Sequence, residues 1–303
     1  MSTAIDIMRV VFGMVFLCIA SYTDLKTRRV KNQVWMLMGF TGGVFLLLQL
    51  FLDKKSWEFY LIFVPVAILF SSMFIEHEPL YDGQKKAFNF KFFGLYLIGI
   101  LVIAYQIFAL SGDTYFYKLL VIPILIVFFF VLYQLRILHG GADAKAMMAI
   151  SILVPFYPHF FSFPLLQISP ERVASAMELF FPFAFLVLMN SVIFVVWVFL
   201  GFLIYNSAKG DLGFPEMLLG YKMDIRDVEK KFVWPMERVV KGERVMVLFP
   251  KRNDEESLEK LKDLGVKRIW VTPKIPFIAF LTVGFAISAF IGNIFAAIFG
   301  LIG

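Results

Sequence analysis

The chain has 303 residues, 60% of them hydrophobic, 18% aromatic and 17% charged, with a formal net charge of +6. A soluble domain is about half apolar and roughly a quarter charged, so this composition, with a mean hydropathy of +0.80, excludes a soluble enzyme or binding module and identifies an integral membrane protein. The excess of Lys and Arg then reflects the positive-inside rule rather than a nucleic-acid partner, and a single cysteine, Cys18, excludes an intrachain disulfide or a cysteine metal cluster.

A membrane span needs about twenty predominantly apolar residues. Eight runs approach this, at 5–22, 33–52, 57–75, 92–110, 119–138, 144–161, 179–204 and 276–302. The first lacks a basic start and a small-residue cleavage site, so it reads as a retained span. It ends in the stretch from Ser21 to Asn32, where Asp24 and Lys26 follow the apolar run directly. Within it, Asp6 and Arg9 lie one helical turn apart and are expected to pair. After the third span comes an acidic cluster, Glu76, His77, Glu78 and Asp82, with poor geometry for a metal and the composition of a solvated loop. The sixth span opens with His139, Gly140, Gly141, Ala142, Asp143, Ala144 and Lys145. It is short and carries Pro155 and Pro158, which predicts a kink or an early end. Asn190, in the seventh span, is expected to hydrogen-bond between helices.

The segment 205–274 differs in composition from what precedes it. Residues 244–249 and 267–272 read as short strands, and 254–264 as an amphipathic helix with Leu258, Leu261 and Leu264 on one face and Gly265 ending it. Together they predict a small β-α-β unit of structural or docking role, with Trp234, Trp270 and Pro273 near the membrane. The predicted fold is an all-α polytopic membrane protein of about eight transmembrane helices, with a small α/β cytoplasmic domain inserted before the last helix. Residues 1–204 form the transmembrane helical region, 205–274 the cytoplasmic domain and 275–303 the final helix.

Orientation follows from Lys and Arg. With the N-terminus outside, Lys26, Arg28, Arg29, Lys31, Lys85, Lys86, Lys91, Arg136 and Lys145 are cytoplasmic, against Lys54, Lys55, Lys118 and Arg172 outside. Asp24 and Asp143 then fall at the same cytoplasmic edge, although 119 positions apart in sequence. An aspartate at a helix start is ordinarily an N-cap, and one after a span an interfacial anchor. If the two approach closely, however, they cannot both ionise easily and share a proton. One then activates a water while the other donates to a substrate carbonyl, which is aspartyl-protease chemistry without metal or cofactor. Lys26 and Lys145 either bias the pair towards ionisation or extend to lipid headgroups. A proton- or cation-coupled transporter would instead place carboxylates near the midplane in related halves, and an assembly scaffold would need neither aspartate.

The motif around Asp24, continuing through Leu25, Lys26, Thr27, Arg28 and Arg29, resembles the first aspartate motif of the type IV prepilin peptidases. The stretch from His139 to Lys145 resembles their second, the G-x-G-D signature of intramembrane aspartyl proteases, and the run from Ile269 to Pro276 is similar to the tail of the archaeal members, the preflagellin (prearchaellin) peptidases. The resemblance implies removal of the short basic class III signal peptide from archaellin or type IV pilin-like precursors at the cytoplasmic face of the cell membrane. Asp24 and Asp143 would be the catalytic pair and Gly140, Gly141, Ala142, Lys145 and Lys26 the positioning residues, with Glu76 and Glu78 candidates to receive the basic leader. The implied partners are these precursors and the lipid bilayer, with no nucleic acid, metal or cofactor. The chain departs from the pattern twice: Ala142 stands where the motif has glycine, and an extra pair of spans surrounds residues 76–117.

Overall fold

The protein is described by a computed structural model, which covers residues 2–75, 90–135, 137–138, 140–166, 179–240, 242–248, 250, 255–294 and 297. It divides into two compact units, Met1–Val192 with Phe277–Gly303, and Ile193–Pro276.

Unit 1 is helical. Its elements are α1 (Ser2–Thr27), α2 (Asn32–Leu52), α3 (Trp57–Tyr60), α4 (Phe63–Ser72), α5 (Phe90–Ala109), α6 (Thr114–Gln134), α7 (Gly141–Leu153), the first part of α8 (Phe183–Lys209) and, after unit 2, α11 (Phe277–Phe290). Among the described residues, four helices are long and apolar enough to cross a membrane: Thr3–Thr27, Asn32–Leu52, Thr114–Gln134 and Phe183–Lys209. Three of the other expected spans are interrupted or end early, each for a local reason. In the third, a turn at Leu61 and Ile62 separates α3 from α4, whose first turn holds Pro65; proline has no N–H to continue the ladder from α3. The sixth ends early, as its prolines predict: Val154, before Pro155, leaves the helical region at φ −126°, ψ 75°. The eighth breaks at Gly292, whose φ of 105° turns the chain left-handed while its N–H bonds the Ile287 carbonyl at 2.8 Å. The fourth is α5, whose helix covers Phe90–Ala109.

Small residues set the packing. A Cβ on Gly42 would lie 2.6 Å from the Leu153 backbone, so α2 and α7 meet main chain to main chain. Helix α11 runs along α1, where the Ser21 and Thr282 hydroxyls lie 2.6 Å apart beside the Ile278 carbonyl. It also meets α8, where Gly284 packs against Ser191 and the Val187 carbonyl. As expected, Asn190 joins helices: its Nδ2 donates to Ser288 Oγ (2.9 Å) and the Gly292 carbonyl (3.1 Å).

Unit 2 holds the end of α8, the short α9 (Glu216–Leu219), β1 (Tyr221–Asp224), a 3-10 turn (Ile225–Lys230), β2 (Val233–Pro235), β3 (Glu237–Val240), β4 (Glu243–Met246), α10 (Glu255–Asp263) and β5 (Arg268–Pro273). The strands and helix expected near residues 244, 254 and 267 are present, but they do not make a β-α-β unit. β5 is the centre of an antiparallel sheet ordered β1-β5-β2, with Tyr221 opposite Val271 and Trp234 opposite Thr272, while β4 pairs with β3 in a separate hairpin. Helix α10 buries Leu258 and Leu261 against Ile269 and Val271, but it ends at Asp263, which leaves Leu264 58% exposed instead of on the buried face. Trp270, expected at the membrane, is buried with Met217 and Met236. Asp224 caps the 3-10 turn, and hydrogen bonds from the Arg226 side chain hold its carboxyl well below the usual carboxylate range.

The α2–α7 contact separates two neighbouring glycines. Gly42→Ala is expected to destabilise the fold by about 1–3 kcal/mol through overpacking. Gly43→Ala, whose Cβ meets only Phe63 at 3.9 Å, should be neutral or stabilising by up to about 1 kcal/mol from helix propensity. Unfolding midpoints of the two variants in detergent check this.

Candidate active site

Asp24 lies in the last turn of α1. One helical turn earlier, Ser21 ties that helix to α11. The helix closes at Arg28, which takes the left-handed conformation (φ 55°) and donates its N–H to the Asp24 carbonyl at 2.8 Å. A non-glycine residue there is strained. The strained turn keeps the Arg28 charge in reach of the Asp24 carboxylate.

Asp143 lies in the first turn of α7. The N-cap is Gly140, in extended backbone at φ −95°, ψ 120°, and the cap makes no side-chain hydrogen bond. Asp143 is therefore not the N-cap, and its carboxylate is folded back over Gly140: a Cβ on that glycine would fall 2.9 Å from Asp143 Cγ and closer still to Oδ2. A side chain at 140 would displace the Asp143 carboxylate, while the backbone angle there asks for no glycine. At Gly141 a Cβ would meet only the Tyr133 ring, at 3.5 Å, an ordinary contact. Ala142 is a helical residue of α7 packed against the core, so the missing glycine costs nothing in backbone geometry.

The structure brings these two carboxylates to one end of the bundle, close enough for the charge on Asp24 to act on Asp143. Both side chains are partly buried. Lys26 and Lys145 turn elsewhere. Lys26 lies over the Tyr22 ring, 5.8 Å from its centroid. Lys145 donates to Asn32 Oδ1 at 2.9 Å and sits 5.3 Å over the Phe74 ring, bridging the starts of α7 and α2. Among the described residues, Arg28 is a cation in reach of Asp24; sequence alone does not single it out, although its spacing of four from Asp24 is that of helical neighbours. Glu76, Glu78, His77, Asp82 and His139 lie outside the described residues. Among the described residues no group of three His, Cys, Asp or Glu side chains has the arrangement of a metal site.

The opposite end of α1 is also polar, with different electrostatics. Arg9 is 1% exposed, with the charges of Asp6 and Asp53 in reach and the Tyr115 hydroxyl donating to Asp53 at 3.4 Å. Asp6 accepts from the His159 N–H at 3.3 Å. There a buried cation has two acids in reach, whereas at the Asp24 end the charge of one acid acts on another.

Residues 214–294 match the family model described as Archaeal Peptidase A24 C-terminus Type II. The chain is 25% identical over 287 residues to a preflagellin peptidase of Methanococcus voltae, an alignment covering 93% of this chain and 94% of that protein. It is 24% identical over 302 residues to a preflagellin peptidase of Methanocaldococcus jannaschii, covering 96% and 98%. A preflagellin peptidase of Methanococcus maripaludis is 27% identical over 163 residues, 51% of this chain and 64% of that protein. No solved structure matches the chain.

The Lys145–Asn32 bridge carries a measurable coupling. In a double-mutant cycle, Lys145→Met and Asn32→Ala should be non-additive by about 0.5–1 kcal/mol in unfolding free energy. Additive losses would mean that the two side chains do not interact in solution.

Proposed function

The chain is a relative of the archaeal preflagellin peptidases, and on that premise we propose that it is a membrane aspartyl endopeptidase. It removes the short basic class III signal peptide from archaellin precursors, and from type IV pilin-like precursors, at the cytoplasmic face of the cell membrane. The observation that carries this reading is the approach of Asp24 and Asp143 from helices 119 positions apart, at a point where neither side chain is spent on capping a helix.

The chemistry follows from the pair. Two neighbouring carboxylates hold one proton between them. Asp24, with the Arg28 charge close by, carries the negative charge and takes a proton from water as that water attacks the scissile carbonyl. Asp143 holds the shared proton and gives it to the carbonyl oxygen, so the tetrahedral intermediate forms as a neutral diol. Collapse returns a proton to the leaving amine and breaks the C–N bond, and the pair again holds one proton. Gly140 keeps the Asp143 carboxylate in place by leaving room for it. Lys145 and Asn32 fix the rotation of α7 on which that carboxylate rides.

Purified protein mixed with preflagellin and prepilin precursors should cut one or both, and the cut should survive a chelator. Asp24→Asn and Asp143→Asn should each lower kcat by at least about 100-fold, the scale of one general acid–base contribution, with unfolding midpoints preserved. Cleavage surviving either substitution would sink the two-aspartate reading; a scaffold would tolerate both.

The pH profile gives a separate check. Protonating both carboxylates removes the base, so the rate falls on the acid side. Ionising both removes the acid, so it falls again on the alkaline side, and kcat/KM should be bell-shaped.

A further inference from the structure

Unit 2 contains the second half of a membrane-length helix, because it begins at Ile193 within α8. That half is built into the domain. Asn206 Nδ2 donates to the carbonyls of Met217 (2.9 Å) and Gly220 (2.7 Å), and its own carbonyl accepts from the Asp211 N–H at 3.0 Å. The Tyr221 ring of β1 lies 6.2 Å from both Phe202 and Tyr205, and Leu203 packs against the Met217, Met236 and Trp270 core. The level at which the bilayer meets this unit is therefore set by the helix inside it.

That level is marked by composition. Trp197, Ile204 and Tyr205 of α8 are exposed, and Lys209 lies 4.7 Å over the Tyr205 ring. Aromatic residues and lysine at the end of an apolar helix are the pattern of a membrane–water interface. At 1.5 Å rise per residue, Lys209 stands about 6 Å along the axis beyond Tyr205.

The chain then turns at Gly210 (φ 71°) into a loop that is pinned to the domain. Asp211 is buried and paired with Arg268 at 2.7 Å and Lys222 at 3.6 Å. Two residues on, Gly213 faces the Trp270 ring so closely that a Cβ would lie 3.1 Å from it. With 211 and 213 turned inward, Leu212 and Phe214 are turned out, 71% and 79% exposed. Burying a side chain of this kind is worth about 1.5–3 kcal/mol, so a pinned loop that holds two of them outward within a few residues of a membrane helix has an apolar medium at hand to take them.

We propose that Leu212 and Phe214 form a membrane-docking wedge. They insert at the headgroup–acyl boundary of the bilayer that α8 crosses, with Lys209 at the lipid phosphates, and so hold the sheet domain against the membrane surface. This inference does not rest on the peptidase reading, and its test needs no substrate.

The test uses the full-length protein in phosphatidylcholine vesicles containing a fraction of anionic phosphatidylglycerol. In a Cys18→Ser background, Leu212→Cys and Phe214→Cys are labelled one at a time with the environment-sensitive fluorophore NBD. Leu264→Cys serves as control, since Leu264 is exposed on the same unit beyond the end of α10. Labels at 212 and 214 should show blue-shifted emission, quenching by lipid carrying a nitroxide near the headgroup, and protection from iodide, while the label at 264 should behave in the opposite way. Iodide quenching at 212 and 214 equal to that at 264 overturns the proposal. Protection from iodide that disappears on diluting protein in the vesicles also overturns it, since that identifies a second copy as the occupant. Unlabelled Leu212→Ser/Phe214→Ser protein provides a second reading. Its sheet domain should become more accessible to protease added to the exposed face of the vesicles, with the unfolding midpoint unchanged, and unchanged accessibility counts against the wedge.

Discussion

Helix α7 is only 13 residues long, about 20 Å at 1.5 Å per residue. It falls short of the roughly 30 Å hydrocarbon core it would have to cross alone. It is nonetheless deeply enclosed: from Ala144 to Val154 every residue except Lys145 is at most 3% exposed. A helix apolar on all sides belongs in the middle of a bundle. Its small residues, Ala144, Ala146, Ala149 and Ser151, let neighbours approach closely, and Gly42 of α2 takes that approach to backbone contact. Because α7 is enclosed this tightly, the place where it begins is determined by its neighbours. Asp143 stands at that beginning, and the geometry of the acid pair is inherited from the packing beneath it.

The two polar ends of α1 show what that placement does to stability. Around Arg9 the charges alternate in sign, with a buried guanidinium among Asp6, Asp53 and the Tyr115 hydroxyl. The attraction there works against the desolvation of a buried guanidinium, and the Tyr115–Asp53 hydrogen bond joins α6 to the end of α2. At the other end a charge that acts on Asp143 comes from another carboxylate, Asp24, while Arg28, in reach of Asp24, stands in a strained left-handed turn. Like charges held close in a partly dry setting oppose folding. Ser21 on one helix and Gly140 and Lys145 on the other hold that arrangement, which is the kind of perturbed pair on which the proposed function rests.

Sequence alone placed both aspartates at helix ends, because apolar runs mark where helices begin and stop, and the structure has them in the last turn of α1 and the first turn of α7. It also read correctly the early end of α7, since Pro155 acts through its immediate neighbours. It did less well where structure depends on distant partners. Asn32 gives no sign that Lys145 will reach it across 113 positions. The prediction of a β-α-β unit rested on the order of strand, helix and strand, but order does not say which strands pair, and β5 finds β1 and β2 while β4 finds β3. Leu264 kept the helical spacing of Leu258 and Leu261 and was lost because the helix stops one residue earlier. Arg28 stands four residues from Asp24, but in the sequence it is one of a run of basic residues that follow the span, and spacing alone does not set it apart.

The glycine pattern around Asp143 is where physical reading and motif reading diverge most usefully. The motif asks for glycine at 142, directly before the aspartate, and the chain has alanine. Position 142 is the second residue of a regular helix, with no positive φ and core residues beside it, so a methyl group is accommodated and contributes packing. At 141 a methyl group would touch the Tyr133 ring at ordinary distance. Only at 140 would it meet the carboxylate itself. The position whose glycine matters to Asp143 is therefore three residues before it, the distance at which an N-cap faces the side chain of the third helical residue. In a capping box that exchange is made by two polar side chains. Here one partner is a bare Cα and the other a carboxylate with no capping duty, which leaves the acid free for a neighbour on α1.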